Sequence, residues 1–482
     1  MSLSLLGAVG TMPAMRILMA LMVSSAMVAL ANAQSRAADA PAVKTNQFFH
    51  AAKVDSRWWL VAPGGRRFIS KGVTTVQFAQ DTIQGTITSP YGDTNREKYG
   101  SVQAWRKAAA KRLIGWGFNT LGAWSDDAVS EVSVDGKRLA YAPIVDLGAK
   151  FVAEKQRAAA WLHGVFPDVF DPDFEPMAHR LARERCTPRA GERWLLGWFT
   201  DNELRWSPDW RGSDELLTMF LSLPADVPGK KAAVDLMRER YGSVTNFNAV
   251  WKSTFSGWDE LTQTNSVHAP VVRKAIYQQN EETERQANEA DPKRAAFVAD
   301  CEAFLARLAE RYFRITSEAI KAADPNHMNF GCRFAYVPPS PVIAAAAKYT
   351  DAISFNCYRL DPRETIERYS AFGKPLIIGE FSFRSEDSGL PNTRGAGPKV
   401  KTQAERAAAF KEYVTLALQN PNLVGYHWFE HADQPKEGRF DGENSNYGVV
   451  NIHDEVYEEL TRTMTEINAK AEALHEGRTG TK

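Results

Sequence analysis

The stretch WLLGWFTDNE, residues 194–203, is a mostly apolar run that ends in a carboxamide and a carboxylate, Asn202 and Glu203. An apolar run of this length between polar residues is typical of a strand buried in a parallel sheet. Barrel enzymes carry their chemistry at the carboxyl ends of such strands. A second run of this kind, KPLIIGE at residues 374–380, also ends in a glutamate, Glu380. We therefore expect both glutamates at the same face of a parallel α/β fold.

Eight strand-like runs alternate with helical segments along the chain, which predicts a (β/α)8 TIM barrel. The predicted strands are residues 71–76, 118–124, 141–146, 194–203, 328–334, 352–358, 375–380 and 423–430. The predicted helices include residues 101–115, 176–185, 295–323, 403–419 and 455–474. Residues 58–61 and 67–70 flank the turn sequence APGG, which predicts an N-terminal β-hairpin before the first strand.

The 482 residues are enough for one barrel with insertions. The connection between the fourth and fifth strands is much longer than one helix needs. We predict that residues 207–291 form a helical insertion and, because it leaves from the catalytic face, one wall of a cleft. The catalytic domain is predicted to span residues 46–475, with a flexible segment at 34–45 and a disordered tail at 476–482.

The amino terminus has the three parts of a secretory signal. Arg16 precedes a short apolar segment at residues 17–23, and the sequence ANA follows at residues 31–33. This pattern predicts a signal peptide over residues 1–33 and an exported protein, periplasmic or secreted. No later stretch approaches the ~20 apolar residues of a membrane span. We therefore predict no membrane association after signal cleavage.

Charge and cysteines exclude several classes of function. The 58 basic and 58 acidic residues balance, which gives no electrostatic case for binding nucleic acid. Cys186, Cys301, Cys332 and Cys357 are widely scattered and form no Cys/His cluster, so we predict no metal and no cofactor. Cys332 and Cys357 fall in strand-like runs, where a buried free thiol is expected. Whether any cysteines pair is left open.

The two glutamates fit the chemistry of glycoside hydrolysis. This reaction needs one carboxyl group that protonates the leaving oxygen and a second that attacks the anomeric carbon or activates water. Glutamates at the ends of the fourth and seventh strands point to a common centre, which suits the separation of about 5 Å in a retaining enzyme. Either glutamate alone would be better explained as a surface acid. The pair favours the catalytic interpretation.

The motifs around both glutamates resemble a known group of enzymes. DNE at residues 201–203 and GEF at residues 379–381 are similar to the fourth- and seventh-strand motifs of the retaining glycoside hydrolases of clan A. The resemblance implies that Glu203 is the acid/base and Glu380 the nucleophile. It further implies that Asn202 binds the sugar 2-hydroxyl, that Tyr358 hydrogen-bonds the nucleophile and that Trp428 is an aromatic platform under the sugar.

Further segments resemble two families of that clan. RYGSV at residues 240–244, with NAVW at 248–251, is similar to a segment of the family-42 β-galactosidases. Three segments resemble the family-50 β-agarases: FPDVFDP at 166–172, HWF at 427–429 with DQP at 433–435, and GENSNYG at 442–448. The resemblance implies a poly- or oligosaccharide substrate, a β-galactoside or agarose-type galactan, cut by double displacement.

Other aromatic and charged residues have two interpretations each. Trp124 and Trp206 lie at cleft-side ends and are equally explained by sugar stacking and by core packing. Arg333 ends the fifth strand and contacts either the nucleophile, a substrate anion or a salt-bridge partner. His427 is as readily a core histidine as a sugar ligand. Polar residues of the loop after the eighth strand are expected to include ligands of sugar hydroxyls, namely Glu430, Gln434, Glu443 and Asn444.

Three alternatives to hydrolysis by two glutamates remain at this point. A transglycosylase would use the same residues with a sugar hydroxyl in place of water, and product analysis at high acceptor concentration separates the two. A non-catalytic carbohydrate-binding barrel would need the loss of one carboxylate, and both are present. A metal-dependent hydrolase is disfavoured because no His/Asp ligand set ends the strands. The sequence does not determine the sugar, the linkage or the oligomeric state.

Overall fold

Eight short parallel strands are the framework of residues 47–478, the part of the chain that the computed structural model describes. The predicted signal peptide, the whole predicted flexible segment at 34–45 and the last four residues of the predicted tail lie outside this part. These eight strands are β4 Ser70–Val73, β5 Thr120–Leu121, β6 Ala140–Tyr141, β7 Gly197–Asn202, β8 Met328–Arg333, β9 Ile353–Asn356, β10 Leu376–Phe381 and β13 Leu423–Trp428. The other strands of this part of the chain are β1 His50–Val54, β2 Arg57–Val61, β3 Arg67–Phe68, β11 Arg384–Ser385 and β12 Lys399–Val400.

The parallel strands follow the predicted ones. Six of them form a sheet in the order β6-β5-β4-β13-β10-β9, and β7 pairs with β8. Single parallel bridges, Tyr141 to Leu195 and Phe334 to Phe355, connect these two sheets. Each of the eight predicted strands overlaps one parallel strand of this set. Before them, β1, β2 and β3 form a small antiparallel sheet, with β2 and β3 flanking the turn sequence APGG.

Helices connect the strands and cover the sheet. They are α1 Pro90–Tyr99, α2 Val102–Gly115, α3 Leu147–Lys155, α4 Ala160–His163, α5 Phe174–Cys186, α6 Leu216–Leu221, α7 Pro228–Tyr241, α8 Val244–Trp251, α9 Trp258–Gln263, α10 Glu281–Ala290, α11 Pro292–Ala323, α12 Ser340–Tyr349, α13 Arg363–Ser370, α14 Gln403–Leu418, α15 Glu458–Asn468 and α16 Ala471–His475. Helices α6 to α10 lie within the predicted insertion. The predicted helix at 455–474 is two helices, α15 and α16, separated by two residues.

Local sequence signals explain where the long helices begin. The Ser101 hydroxyl accepts a hydrogen bond from the Ala104 amide at the start of α2. The Asp291 carboxylate does the same for Lys293 and Arg294 at the start of α11, where Pro292 takes the first helical position. Such caps satisfy amide groups that have no partner within the helix, and proline there loses no hydrogen bond. The 32 residues of α11 pack against α5 and α12.

Alternate residues of the strands enter two different cores. Phe199, Phe330 and Ile377 belong to a cluster formed mainly by strand residues. Their neighbours in sequence, such as Trp198 and Ile378, pack in the larger cluster that contains the helices. This alternation is what the two faces of a strand require. Full burial of one such large apolar side chain contributes about 1.5–3 kcal/mol to stability.

All four cysteines are buried free thiols, as predicted for Cys332 and Cys357. Among residues 47–478, His, Cys, Asp and Glu side chains form no group arranged to hold a metal ion. Across the same residues, no helix has both the length and the apolar character that crossing a membrane requires.

Candidate active site

A cleft of about 1000 Å³ opens at the carboxyl ends of the eight parallel strands. Residues that end or follow each strand line it: Thr75, Trp124, Asp146, Glu203, Ala335, Cys357, Glu380 and Phe429. The insertion contributes Trp210, Ile276, Tyr277 and Gln279 to the lining. The strand ends therefore converge on one concave surface that holds both glutamates.

Glu203 directly follows β7, and two nitrogen donors bind its carboxyl group. The Nδ2 of Asn356 donates to Oε1 at 2.7 Å, and the indole Nε1 of Trp161 donates to Oε2 at 2.8 Å. The backbone of Glu203 has a φ of 48°, in the left-handed region that is costly for a residue with a side chain. Its amide donates to the Arg333 carbonyl at 2.8 Å, and Arg211 Nη1 donates to its carbonyl at 2.8 Å. These contacts hold the carboxyl group in a single position at the cleft.

Glu380, on β10, has partners that favour a carboxylate. The Arg333 guanidinium forms an ion pair with its Oε1, and the Tyr358 hydroxyl donates to Oε2 at 2.6 Å. Burial nevertheless raises the pKa of Glu380 to about 7. The positive charge of Arg333 and the Tyr358 hydrogen bond oppose this shift, whereas the negative charge of Glu203 adds to it. The carboxyl groups of Glu203 and Glu380 thus line one cleft in different surroundings.

Asn202 and Asn356 connect the two carboxyl groups. The Asn202 Oδ1 accepts hydrogen bonds from Arg333 Nε at 3.1 Å and from Asn356 Nδ2 at 3.3 Å. Because its oxygen is used twice on the protein side, Asn202 presents its amide N–H groups to the cleft that it lines. A hydrogen-bond path therefore runs from Glu203 through both amides and Arg333 to Glu380.

Six of the thirteen predicted site residues line this cleft, namely Asn202, Glu203, Tyr358, Glu380, Trp124 and Glu443. Arg333 lies behind them, fully buried, as the ion-pair partner of Glu380 rather than as a ligand of a substrate anion. Its guanidinium also lies 4.4 Å from the centre of the Trp124 ring. The sequence had left both roles of Arg333 open, and the structure favours contact with Glu380.

The prediction that Trp428 is the platform under the sugar is wrong. This side chain is fully buried, its Nε1 donates to the Tyr447 carbonyl at 2.8 Å, and its ring packs against Phe381 and Arg406. The next residue, Phe429, lines the cleft instead. Successive residues of a strand face opposite sides of the sheet. The side chain of Trp428, the last residue of β13, therefore packs against the helices, whereas that of Phe429 faces the cleft.

Trp206 and His427 are core residues, so of the two interpretations of each residue the structure favours core packing over sugar binding. Trp206 is 4% exposed and stacks on Phe313 with ring centres 5.6 Å apart. His427 is fully buried, with Nε2 2.8 Å from the Ser70 hydroxyl. Burial, together with the positive charge of Arg333, lowers the pKa of His427 to about 3. A neutral histidine fits this interior position.

The loop after β13 supplies one cleft residue of the four predicted. Glu443 lines the cleft and pairs with Arg439 at 2.9 Å. Gln434 is buried beneath it and donates to Glu443 at 3.0 Å and to Glu430 at 3.1 Å. Glu430 is fully buried, and burial raises its pKa well above the usual range. Glu430 and Gln434 therefore support the loop and do not face the cleft.

Asn444 has a structural role in a neighbouring loop. Its Oδ1 accepts a hydrogen bond from the Thr393 amide at 3.0 Å, and its Nδ2 donates to the Thr393 hydroxyl at 2.8 Å. These bonds join the loop after β13 to the segment that follows β11. The prediction of Asn444 as a sugar ligand is therefore wrong for the same reason as that of Gln434: its polar atoms are used within the protein.

Several cleft residues were not predicted. Asn356 ends a buried strand run, as Asn202 does, so its position carried a signal that sequence reasoning missed. Phe429 was missed because the neighbouring tryptophan was chosen. Trp161 lies on the four-residue helix α4 within a strand-to-helix connection, where no periodic pattern marks it. Arg439 and Asp81 also line the cleft and come from loops.

Comparison with known proteins finds similarity to β-agarases over most of this chain. It is 27% identical to β-agarase B of Vibrio sp. (strain JT0107) over 89% of this chain and 49% of that protein. With β-agarase A of the same strain it is 29% identical over 87% of this chain and 45% of that protein. The solved structure of PfGH50B superposes with a TM-score of 0.73 and 26% identity, over 91% of this chain and 68% of that one. The chain is similar to the family-50 β-agarases.

This relationship confirms the predicted resemblance to the family-50 β-agarases. The chain spans about half the length of the curated β-agarases it matches. No family model matches it.

Proposed function

We propose that this protein is a retaining β-glycoside hydrolase that cleaves an agarose-type β-galactan. The observation that carries the proposal is the pair of buried glutamates, Glu203 and Glu380, in one cleft with partners of different chemistry. Glu380 has a guanidinium and a phenol as partners, which suits a carboxylate nucleophile. The hydrogen-bond partners of the Glu203 carboxyl group are instead neutral N–H donors, from Trp161 and Asn356.

In the first step, a Glu380 oxygen attacks the anomeric carbon while the glycosidic C–O bond breaks. Protonated Glu203 gives its proton to the departing oxygen, so the leaving sugar departs as an alcohol. An ester bond now joins Glu380 to the sugar. The N–H groups of Asn202 suit a hydrogen bond to the 2-hydroxyl, a contact that strengthens as charge develops at the anomeric carbon.

In the second step, the Glu203 carboxylate takes a proton from water, and the water oxygen attacks the anomeric carbon. The ester bond breaks, and Glu380 returns to its carboxylate form. Two inversions at the same carbon give a product with retained configuration. Arg333 and Tyr358 stay bonded to Glu380 oxygens in the free enzyme and stabilise the carboxylate when it leaves.

The names of the relatives and the lining of the cleft support the choice of substrate. Both curated relatives are β-agarases, at 27% and 29% identity over most of this chain. Aromatic side chains such as Trp124, Trp210 and Phe429 line the cleft, and their faces suit the C–H faces of pyranose rings. A polysaccharide substrate lies outside cells, which agrees with export by the signal sequence predicted at residues 1–33.

We also infer that the eight parallel strands form a closed (β/α)8 barrel. Two observations support closure: the bridge between Tyr141 and Leu195 joins β6 to the start of the β7 stretch, and the bridge between Phe334 and Phe355 joins β8 to β9. Together with the paired strands, these contacts link all eight strands in chain order. A closed barrel explains why all eight carboxyl ends reach the same cleft.

Product analysis tests the proposed function. The protein is incubated with agarose, other algal and plant polysaccharides and aryl β-galactosides, and the anomeric signals of the first products are followed by proton NMR. We expect the β anomer to form first on the galactan and to convert slowly to the equilibrium mixture. Initial release of the α anomer contradicts the retaining mechanism. Turnover of none of these compounds would instead indicate a binding protein, and longer oligosaccharides at high acceptor concentration would indicate a transglycosylase.

A further inference from the structure

Asp201, the first residue of the DNE motif, has no part in the proposed mechanism, although it lies two residues before Glu203. Its side chain is fully buried. Burial of a carboxylate is costly unless its oxygens accept hydrogen bonds, and Asp201 has three donors. The Ala149 amide donates to Oδ1 at 2.8 Å, and the Gly148 amide and the Tyr312 hydroxyl donate to Oδ2 at 2.8 and 2.5 Å. Donors from two helices thus converge on this one carboxylate.

Two of these donors show that Asp201 caps helix α3. Gly148 and Ala149 are the second and third residues of α3, and their amides are the ones that the side chain of an N-cap residue normally accepts. Asp146 holds the N-cap position, but its side chain makes no cap hydrogen bond, and its φ of 62° is in the left-handed region. Asp201 of β7 therefore replaces Asp146 as the cap, and the start of α3 is fixed to β7.

The contact between Asp201 and α3 depends on a glycine. A Cβ atom on Gly148 would lie 3.1 Å from Asp201 Oδ2 and 3.2 Å from Pro167 Cγ, which is closer than side-chain atoms usually pack. Because Gly148 has no side chain, the end of the helix can approach the carboxylate. The sequence of α3 is thus suited to a cap that comes from the neighbouring strand.

The end of β7 needs this additional support because its pairing is irregular. The register between β7 and β8 shifts between Phe199 and Asn202, which is where Asp201 lies. Such irregularities re-aim side chains and are common beside active sites. The next residue, Glu203, has a φ of 48°, a conformation that persists only where the surroundings hold it. Asp201 therefore supports the strand at the point where regular sheet pairing is interrupted.

A closed ring of contacts joins Asp201 to the carboxyl group of Glu203. Asp201 binds the first turn of α3, and α3 packs against α4, which carries Trp161. The Trp161 indole donates to Glu203 Oε2 at 2.8 Å, and the backbone from Glu203 to Asp201 closes the ring. A displacement of α3 would therefore move both the strand end before Glu203 and the donor that orients its carboxyl group.

We propose that Asp201 is a positioning residue for Glu203, because it fixes the start of α3 to the end of β7 and so holds the Glu203 carboxyl group in place for proton transfer. The proposal rests on the proposed function, in which Glu203 is the acid/base. Proton transfer to the leaving oxygen needs a donor within hydrogen-bond reach, and a small misplacement of that donor slows the reaction. Asp201 touches no reacting atom and acts through α3 and Trp161.

Two aryl glycosides with different leaving groups test this proposal. Dinitrophenolate departs without a proton, whereas the phenyl leaving group needs the proton of Glu203. In Asp201→Asn, at least one of the two amides of α3 faces an NH2 group instead of an acceptor. We expect kcat/KM to fall about tenfold more on phenyl β-galactoside than on dinitrophenyl β-galactoside. A merely structural role would lower both values equally, so equal losses, or no loss, overturn the proposal.

Asp168→Asn is the matched control. Asp168 is also a buried aspartate that caps a helix of another segment. Its Oδ2 accepts from the amide of Gly229, the second residue of α7, at 2.8 Å, and its Oδ1 accepts from the Phe170 amide at 3.0 Å. The ratio of the two kcat/KM values in this variant should equal that of the wild type. A ratio that shifts as in Asp201→Asn would show a general effect of weakening a cap and would overturn the proposal.

Tyr312→Phe is a milder second variant, for the case in which Asp201→Asn does not fold. It removes one of the three donors to Asp201 and keeps the aromatic ring in the core. The ratio of the two kcat/KM values should shift in the same direction by about threefold. In that case, a ratio equal to that of the wild type overturns the proposal.

Amide hydrogen exchange separates this proposal from the proposed function. If the wild-type protein turns over neither substrate, the proposed function fails, and exchange over residues 147–163 is compared in the wild-type and Asp201→Asn proteins. Exchange about tenfold faster in the variant supports the role of Asp201 in holding α3 and α4 beside Glu203, without any catalysis. Exchange at the wild-type rate overturns it.

Discussion

At the scale of single residues, the surroundings of Glu380 decide what the site can do. Burial and the nearby Glu203 raise its pKa, while Arg333 and the Tyr358 hydroxyl act in the opposite direction. The net result, about 7, places the ionisation of the proposed nucleophile within the range where enzymes work. The pH dependence of activity is therefore a direct readout of this residue.

We predict that kcat/KM rises with pH up to about 7, because Glu380 must be ionised to attack and its pKa is raised to about 7. Removing the donor that lowers this pKa, by Tyr358→Phe, should move the acid limb to higher pH. A move of one unit would lower kcat/KM about tenfold at a pH below the limb. The measurement is kcat/KM against pH for both proteins.

The control for this prediction is Tyr426→Phe. Tyr426 is also buried, but its hydroxyl donates to Asn468 at 2.7 Å, away from Glu380. The acid limb of the kcat/KM profile of Tyr426→Phe should coincide with that of the wild type. An acid limb that stays in place in Tyr358→Phe would show that the Tyr358 hydroxyl does not set the ionisation of Glu380.

At the scale of elements, the end of β13 shows how one strand serves both the core and the cleft. Trp428 faces the helix layer, where its indole contacts Phe381 and donates to the Tyr447 carbonyl. Phe429 follows it and faces the cleft, with its ring 5.1 Å from that of Tyr447 and 6.3 Å from that of Tyr358. The two neighbouring aromatic residues thus differ in role, because Trp428 packs in the core and Phe429 lines the cleft.

Substitutions at these two positions should separate stability from activity. Trp428→Phe removes the indole donor and leaves space in the core, so it should lower the free energy of unfolding by about 2–3 kcal/mol. Phe429→Leu keeps an apolar side chain of similar size, so it should cost less than about 1.5 kcal/mol. The loss of its ring should lower kcat/KM on the galactan about tenfold.

Urea unfolding and steady-state kinetics of the two variants measure both effects. Trp428→Phe should keep its kcat/KM within about threefold of the wild type at a temperature where it is folded, since a change of that size is below 1 kcal/mol in barrier height. If Trp428→Phe loses activity while Phe429→Leu keeps it, the assignment of the cleft aromatic to Phe429 is wrong.

At the scale of the whole molecule, strand positions and the two glutamates could be predicted because both signals are local. A run of apolar residues predicts a buried parallel strand, and a polar residue directly after that run lies at the carboxyl edge of the sheet. Asn202 and Tyr358 were instead predicted from the resemblance to the clan A enzymes. The resemblance gave the wrong residue at Trp428, and the local pattern could not decide between core and cleft for His427, because the face on which a side chain lies depends on the tilt and pairing of its strand.

Cleft residues in the connections between strands could not be predicted from the sequence, for a different reason. Trp161, Tyr277 and Tyr336 reach the cleft from segments that have no periodic pattern and whose path is set by the packing of other elements. Gln434 and Asn444 were misjudged because sequence shows a polar residue but not its partners. Their hydrogen bonds within the protein, to Glu430 and Thr393, are visible in three dimensions.

The buried His427 should make the stability of the whole molecule depend on pH. Its pKa is about 3 in the folded protein, against about 6.5 when unfolded, so the unfolded state binds more protons between these values. The contribution of neutral His427 is present above about pH 6.5 and is lost as pH falls toward about 3. At pH 5 the loss from this one residue should approach about 2 kcal/mol.

Urea unfolding at pH 7.5 and pH 5 of the wild-type and His427→Asn proteins measures this contribution. On acidification, the wild type should lose about 2 kcal/mol more of its free energy of unfolding than the variant loses. His453→Asn is the control, since His453 is exposed, and it should behave like the wild type. Equal losses in the wild type and His427→Asn would contradict the burial of a neutral histidine.

The assignment of Glu380 as the nucleophile and Glu203 as the acid/base is tested most directly by azide rescue. Glu380→Gly is assayed on an activated aryl β-galactoside with and without sodium azide, and the product is examined by NMR. We predict almost no activity without azide, and with azide an α-galactosyl azide, because azide replaces the carboxylate in a single inversion. Near wild-type activity without azide, or a β-galactosyl azide, would contradict the assignment.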